Sequence, residues 1–194
     1  MNGSCHIAFF GGTFDPIHEG HLDVARKAVD ALKLDHVIFI PCRRSPHKSE
    51  APGASDDARL QMLKLATAEL PWAMVDDYEL RKPPPSYTWE TVDHFASAFP
   101  ADSSRFLLIG YDQWESLPRW QNIEKLSMDV EFIVVGRGKQ PEPRASYNAH
   151  FIEGNHPASA SKIRKELVNG QPPKWLPPSV KTYICEKDLY STIR

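Results

Sequence analysis

The stretch His6–His21, HIAFFGGTFDPIHEGH, decides the fold class because it places a strand, a glycine turn and a helix start in direct succession. Its mostly apolar beginning, His6–Phe10, predicts a buried strand that ends at a pair of glycines. From Leu22 to Leu32, apolar residues then recur at helical spacing. A strand that leads through glycines into a helix is typical of an α/β fold that binds its ligand at the carboxyl ends of the strands.

Strand and helix patterns alternate through the rest of the chain. Further strands are predicted at Val37–Ile40, Ala73–Tyr78, Arg105–Ile109, Val130–Val135 and Phe151–Ile152. Further helices are predicted from Ser55 or Asp56 to Leu70, over Thr88–Phe99, in pieces between Trp114 and Met128, over Ser159–Asn169 and over Ser179–Lys187. Nearly continuous apolar strands favour a parallel sheet covered by helices. We therefore expect an α/β fold with a single doubly wound, mainly parallel sheet that carries helices on both faces, built as one domain over residues 1–194.

The overall composition argues against two classes of binding partner, nucleic acids and membranes. The 194 residues carry 23 Lys and Arg against 25 Asp and Glu, a net charge of −2, so no nucleic-acid partner is expected. The longest apolar runs are too short to span a bilayer, and the start lacks a secretory pattern, so no membrane association is expected. Three scattered cysteines, Cys5, Cys42 and Cys185, indicate a reducing cytoplasm. The oligomeric state stays open, with a homo-oligomer as one outcome.

The glycine turn and the two histidines after it indicate a phosphate site. Glycines let the main chain approach a ligand closely, and N–H groups at a helix start favour anions. His18 and His21 are three residues apart, which lets both imidazoles face one side and donate to phosphate oxygens. One alternative is a tight turn with two surface histidines. Another is a metal site with Asp15 as a third ligand, although such sites normally need three or four ligands and helical pairs spaced by four.

A second cluster of polar residues opens a later helix, in Ser159-Ala160-Ser161-Lys162-Ile163-Arg164. Hydroxyl groups at a helix start cap N–H groups, which is the structural interpretation. They can also turn toward a phosphate, and an arginine on the first turns can bind phosphate oxygens with two N–H groups. Taken together with the first motif, this cluster predicts a second phosphate clamp.

Other candidates follow strands or prolines. The basic loop Arg43–Lys48 follows the second strand, and Ser86-Tyr87-Thr88 follows three prolines. Asp112 follows a strand, where its carboxylate can accept from ribose hydroxyls. Trp120 is either a core residue or a stacking platform for a flat ring, and the sequence leaves both interpretations open.

These motifs together resemble the bacterial nicotinate-mononucleotide adenylyltransferases, a branch of the HxGH nucleotidyltransferases. The resemblance rests on GGTFDPIHEGH, the PHK loop, SYT, the G-x-D after a strand, the RW segment and S-x-S-x-I-R, in that order over nearly the whole chain. It implies a Rossmann-like nucleotidyltransferase fold and the transfer of AMP from ATP to nicotinate mononucleotide in NAD biosynthesis. The products are deamido-NAD and pyrophosphate.

The resemblance also implies roles for individual residues. The catalytic residues would be His18, His21 and Arg164. ATP would contact these three and also Gly11, Gly12, Thr13, Phe14, Asp112, Ser159, Ser161 and Ile163. Nicotinate mononucleotide would contact Lys48, Thr88, Trp120 and Arg137. Mg²⁺ is expected as a cofactor carried by the ATP phosphates, with no metal site on the protein.

Two departures from the family pattern affect these expectations. Ala160 stands where the family commonly has a hydroxyl, which removes one expected phosphate contact. Tyr111 stands where the family often has a small residue, and its ring would narrow or gate the nucleotide pocket. Two other functions remain as alternatives: an adenylyltransferase for another acceptor, nicotinamide mononucleotide or phosphopantetheine, and a non-catalytic nucleotide-binding module.

Overall fold

One parallel sheet forms the centre of the computed structural model, which describes residues 5–44, 51–136, 138 and 141–191. Its six strands within those ranges are β1 (His6–Gly12), β2 (His36–Pro41), β3 (Ala73–Val75), β4 (Ser104–Gly110), β5 (Glu131–Gly136) and β6 (Ala149–Glu153). They lie in the order β3-β2-β1-β4-β5-β6, and every neighbouring pair is parallel. The chain winds outward in both directions from β1, so the predicted doubly wound sheet is confirmed.

Helices cover both faces of this sheet. They are α1 (Glu19–Leu32), α2 (Asp56–Thr67), α3 (Tyr78–Arg81), α4 (Thr88–His94), α5 (Tyr111–Ser116), α6 (Ile123–Asp129), α7 (Ala160–Val168) and α8 (Pro178–Glu186). Alternate residues of β1 enter two separate cores, because successive side chains of a strand point to opposite faces. Ala8 packs with apolar residues of α1, α2, α7 and α8, whereas Phe9 packs with those of α4, α5 and α6. In the part of the chain that is described, no helix is both long and apolar enough to cross a membrane.

Some predicted elements are shorter in the structure than the sequence pattern suggested. The strand predicted over Ala73–Tyr78 ends at Val75, because Asp76 Oδ1 accepts a hydrogen bond from the N–H of Tyr78 (2.7 Å) where α3 begins. The helix predicted to reach Phe99 ends at His94 and is followed by one 3₁₀ turn. The helix predicted to reach Leu70 ends at Thr67.

A buried arginine connects α2 to the loop between β1 and α1. Arg59 is 0% exposed, and its Nη1 donates to the main-chain oxygen of Thr13 at 2.6 Å. Its Nη2 donates to Asp56 Oδ1 at 2.6 Å, so the buried charge has an acidic partner on its own helix. A buried charge is stable only when it is paired and hydrogen-bonded. Arg59 therefore fixes the position of this loop, which we call the glycine loop because it starts at Gly11-Gly12, relative to α2.

We expect Phe132→Ala to lower the free energy of unfolding by about 3–5 kcal/mol, because it leaves a cavity in the core that covers one face of the sheet. Phe132 lies on β5 and is 0% exposed. Met128→Ala, at a side chain that is 80% exposed, is the control and should change the same quantity by less than about 0.5 kcal/mol. Urea unfolding of the two variants and the parent protein gives both numbers. A loss below about 1 kcal/mol in Phe132→Ala would contradict the burial of this residue in the core.

Candidate active site

A cavity of about 910 Å³ opens at the carboxyl ends of β1 and β4. These are the strands between which the order of the sheet reverses, the position at which open α/β sheets bind ligands. Eight of the sequence-predicted site residues line it: Gly11, Gly12, Thr13, Phe14, His21, Thr88, Asp112 and Trp120. The topology therefore brings the glycine loop, the start of α4 and the segment around α5 to one cavity.

The glycine loop is shaped by a close contact between Gly12 and Phe14. Phe14 has a left-handed φ of 47°, and its ring folds back so far that a Cβ at Gly12 would lie 2.9 Å from it. The ring is 2% exposed and packs edge-on against Phe10, with 5.4 Å between ring centroids. Because the Phe14 side chain contributes to the core, we expect any contact of this residue with a nucleotide to come mainly from its main chain.

The two histidines lie against each other at the start of α1. The rings of His18 and His21 are stacked, with their centroids 3.7 Å apart and their planes at 21°. The N–H of His18 donates to Nδ1 of His21 at 3.3 Å, so the neutral His21 ring carries its proton on Nε2. His21 lines the cavity, whereas His18 is 2% exposed and supports it from behind. The pair thus presents an imidazole N–H donor beside the helix N-terminus.

Asp15 is buried behind this pair and binds several segments of the chain. Its carboxylate is 5% exposed and accepts hydrogen bonds from the N–H of Gly53 (2.7 Å) and of Ala54 (3.0 Å) and from the hydroxyl of Tyr190 (2.7 Å). The guanidinium of Arg164 donates to the main-chain oxygen of Asp15 at 2.6 Å. The carboxylate is therefore occupied by protein donors. Within the described ranges, no group of three or more His, Cys, Asp or Glu side chains is placed to hold a metal ion.

The residues of α7 lie beside the start of α1 rather than on the cavity wall. Ser159 occupies the N-cap position of α7, but among the described residues its side chain forms no capping hydrogen bond. Ser161 is exposed, and the side chain of Ile163 is 1% exposed in the core. Arg164 reaches across to Asp15, as described above. The second predicted phosphate clamp therefore lies beside the first. Arg164 contacts Asp15, and Gly20 on α1 lies so close to Ala158 that a Cβ at Gly20 would be 3.3 Å from it.

The expected acceptor side of the cavity is formed by α4, α5 and the turn after α5. Thr88 is the first residue of α4, and Asp112 is exposed on α5. Trp120 lines the cavity and also packs against the core, with its Nε1 donating to Ser116 Oγ at 3.3 Å. Tyr111 also lines the cavity, as the departure from the family pattern predicted.

Two predicted acceptor residues are not placed by the structure. Lys48 and Arg137 lie outside the described residues. Their expected contacts with nicotinate mononucleotide remain predictions.

Sequence reasoning missed a carboxyl group in the cavity wall. Glu79 on α3 is 7% exposed, lines the cavity and accepts a hydrogen bond from Thr91 Oγ1 at 2.7 Å. Burial raises the pKa of Glu79 above its ordinary value of 4.5, and the hydrogen bond from Thr91 opposes part of this effect. In the sequence, Glu79 stands in the charge-rich stretch Asp76–Lys82 before three prolines, which is typical of a surface segment, so no local signal predicted its burial.

The raised pKa of Glu79 predicts a pH-dependent difference between the parent protein and Glu79→Gln. The native parent holds this proton more tightly than its unfolded chain does, so it loses stability as the pH rises from 4.5 through the native pKa. The Gln variant has no such group and should gain stability relative to the parent over that range. Urea unfolding at several pH values measures the difference.

Glu124→Gln, at an exposed glutamate of α6 outside the cavity wall, is the matched control for the exchange of a carboxylate for an amide. A difference between Glu79→Gln and the parent that stays constant with pH would mean that Glu79 titrates alike in the native and unfolded states.

Comparison with known proteins identifies close relatives over almost the full chain. A family model described as cytidylyltransferase-like matches residues 9–166. A probable nicotinate-nucleotide adenylyltransferase from Geobacillus kaustophilus is 39% identical over 188 residues, 95% of this chain and 85% of the relative. A protein of the same name from Methylacidiphilum infernorum is 37% identical over 190 residues, 96% of this chain and 93% of the relative.

Solved structures share the same architecture. Plasmodium falciparum nicotinic acid mononucleotide adenylyltransferase complexed with NaAD superposes with a TM-score of 0.78 at 20% identity, over 96% of this chain and 97% of that one. Its complex with APC gives a TM-score of 0.74 at the same identity and coverage. At this identity the likeness concerns the fold alone, and it confirms the expected Rossmann-like nucleotidyltransferase fold.

Proposed function

Because this chain belongs to the nicotinate-nucleotide adenylyltransferase family of the cytidylyltransferase-like proteins, we propose that it transfers AMP from ATP to nicotinate mononucleotide. The products are deamido-NAD and pyrophosphate, so the reaction belongs to NAD biosynthesis. The observation that carries this proposal is the 910 Å³ cavity at the reversal point of the sheet. It joins the HxGH helix start, suited to phosphate, to Thr88 and Trp120, suited to a flat carboxylated ring.

The reaction needs two anions held in line rather than a protein nucleophile. An oxygen of the mononucleotide 5′-phosphate attacks the α-phosphorus of ATP, and the bond from that phosphorus to the bridging oxygen breaks as pyrophosphate leaves. Catalysis then consists of positioning the two substrates and stabilising charge on the departing oxygens. His18, His21 and Arg164 are proposed to hold the triphosphate and stabilise that charge.

The remaining ATP contacts follow from the cavity wall. The main chain of Gly11, Gly12, Thr13 and Phe14 is proposed to approach the nucleotide, because glycines and a helix start leave room and N–H groups for it. Asp112 is proposed to accept from the ribose hydroxyls. From α7, the hydroxyls of Ser159 and Ser161 and the main chain of Ile163 are proposed to assist Arg164 at the phosphates.

The acceptor is proposed to lie between α4 and the Trp120 segment. Trp120 stacks on the nicotinate ring with the face that lines the cavity. The main-chain N–H of Thr88 belongs to the first turn of α4, where such groups have no partner within the helix, and suits the nicotinate carboxylate. Lys48 and Arg137, outside the described residues, are proposed to bind the acceptor through their positive charges.

Mg²⁺ is proposed to accompany ATP. Phosphate oxygens and water are the ligands that this ion prefers, and its charge offsets the charge that develops on pyrophosphate. We assign no protein ligand to the ion.

We also propose that residues 1–194 form one nucleotidyltransferase domain that acts in the cytoplasm. In support, α7 and α8 contribute to the same core as α1 and α2. Cys5, Cys42 and Cys185, all of them described by the structure, form no disulfide.

Removing either histidine should lower kcat by about a hundredfold or more, because a donor to transition-state charge is lost. His18→Ala should act through the loss of one phosphate donor and of the stacked support of His21, and His21→Ala through the loss of the other donor. Steady-state pyrophosphate release measures both. His94→Ala, at an exposed histidine of α4 outside the cavity wall, is the control and should keep parental turnover. Near-parental kcat in both HxGH variants would remove the pair from the mechanism.

The acid form of the acceptor should be preferred over the amide form by at least about tenfold in kcat/KM. An amide would aim its NH₂ group at a main-chain donor, and a buried donor left unpaired costs about 1–3 kcal/mol. An acceptor screen with nicotinate mononucleotide, nicotinamide mononucleotide and phosphopantetheine measures the preference. Trp120→Ala should weaken both mononucleotides and leave their ratio nearly unchanged, because stacking does not distinguish the two rings. Equal efficiency with both would indicate a dual-specificity enzyme.

A further inference from the structure

The chain after α8 turns back toward the buried Asp15. Asp188 and Tyr190 both adopt left-handed φ angles, 50° and 63°, which residues other than glycine rarely adopt without compensation elsewhere. Between them, Leu189 packs against the core and its N–H donates to the oxygen of Ile184 at 3.0 Å. This unusual turn directs the Tyr190 side chain inward.

Tyr190 fits closely into the loop that precedes α2. A Cβ at Gly53 would lie 3.4 Å from the Tyr190 ring and 3.5 Å from Asp15 Oδ2, so a glycine allows the three residues to meet. The Tyr190 hydroxyl donates to Asp15 Oδ1 at 2.7 Å. Burial and the nearby Asp15 carboxylate raise the pKa of Tyr190 above its ordinary value, so the hydroxyl remains a donor.

Asp15 lies between Tyr190 and the proposed phosphate-binding Arg164. Arg164 Nη1 is 3.6 Å from Asp15 Oδ2, longer than a hydrogen bond, while it donates to the main-chain oxygen of Asp15 at 2.6 Å. The side chain of Arg164 is still 34% exposed. The contact is thus an ion pair without a hydrogen bond, and a small movement would add that bond and draw the guanidinium closer to the carboxylate.

We propose that Tyr190 is a positioning residue of the ATP site, because its hydrogen bond to Asp15 keeps the carboxylate from drawing Arg164 into a hydrogen-bonded ion pair. A carboxylate that already accepts from three neutral donors attracts a cation less than one that has lost a donor. Tyr190 thus leaves the guanidinium available to the ATP phosphates. This inference rests on the proposed function, in which Arg164 binds those phosphates.

Tyr190→Phe tests the proposal, because it removes one oxygen and keeps the ring that packs on Gly53. We expect the KM for ATP to rise about three- to tenfold, the range that corresponds to the loss of one hydrogen bond. The kcat and the KM for nicotinate mononucleotide should change by less than about twofold, a change of under about 0.4 kcal/mol. A purely structural role would instead lower the active fraction and leave both KM values unchanged.

Ser179→Ala is the matched control. Ser179 Oγ, on α8, donates to the oxygen of Leu65 at 3.1 Å, so the variant also loses one hydrogen bond that docks the C-terminal segment, but at a distance from Asp15. It should lose a similar amount of thermal stability and keep the parental KM for ATP. An equal rise of this KM in both variants would mean that any loosening of α8 has the same effect, and would overturn the proposal.

A double-mutant cycle with Arg164→Gln decides whether Tyr190 acts through Arg164. Direct calorimetric binding of an ATP analogue is the readout, since it does not depend on turnover. Arg164→Gln should weaken binding, and adding Tyr190→Phe to it should weaken binding no further, because a neutral side chain is not captured by Asp15. Equal, independent effects of the two substitutions would overturn the proposal.

The cycle also separates this inference from the proposed function. If Arg164→Gln weakens ATP binding and Tyr190→Phe does not, the positioning role is wrong and the phosphate role of Arg164 stands. If Arg164→Gln binds the ATP analogue as the parent does, the phosphate role is wrong and the positioning role is wrong with it.

Discussion

The burial of the Asp15 carboxylate is the constraint on which the site depends. A carboxylate that is 5% exposed needs hydrogen-bond donors, because burial without them costs several kcal/mol. The donors come from Gly53 and Ala54 before α2 and from Tyr190 after α8. Satisfying one buried group thus brings together segments that are about 40 and 175 residues apart in the chain. The loop that holds Asp15 leads directly into α1, whose N-cap and first turn carry the two histidines, so the same hydrogen bonds position the start of this helix.

The sheet could be predicted because its sequence signals are local, whereas the burial of individual polar side chains could not be predicted. Strands such as His36–Pro41 and Glu131–Gly136 are apolar runs bounded by proline or glycine, and their alternation with helical patterns indicates parallel pairing. Arg59 and Glu79 have no such signal, since a charged residue at a helical position is normally exposed. Their burial follows from partners that only the folded chain supplies, the main-chain oxygen of Thr13 and the hydroxyl of Thr91.

The candidate site shows the same division between local and tertiary information. Among the motif residues that line the cavity, His21 was found because a helix start after a strand has a recognisable pattern, and Thr88 through the SYT motif that follows three prolines. The sequence did not predict that His18 is buried while His21 lines the cavity, because the stacking of the two rings depends on the side-chain geometry. Tyr190 was missed altogether, since its partner lies at the opposite end of the sequence.

The main-chain oxygens of the glycine loop explain how a protein with a net charge of −2 can prepare a site for two anions. Unpaired carbonyl oxygens beside a phosphate would repel it, but three of those in this loop are bound by protein donors. The oxygen of Gly12 accepts from the N–H of Cys42 (2.9 Å), that of Thr13 from Arg59 and that of Asp15 from Arg164.

In an irregular loop, pairing the carbonyls in this way orients the peptide dipoles and leaves the positive N–H side for the ligand. Arg59 and Arg164 therefore have two effects on the loop. Their charge offsets the acidic residues of the chain near the site, and their hydrogen bonds fix the direction of the loop's own dipoles. Because these dipoles are set by buried contacts before any substrate arrives, little reorganisation is needed when charge develops on the leaving pyrophosphate. The contacts that stabilise the fold around the glycine loop are thus the same contacts that prepare it for phosphoryl transfer.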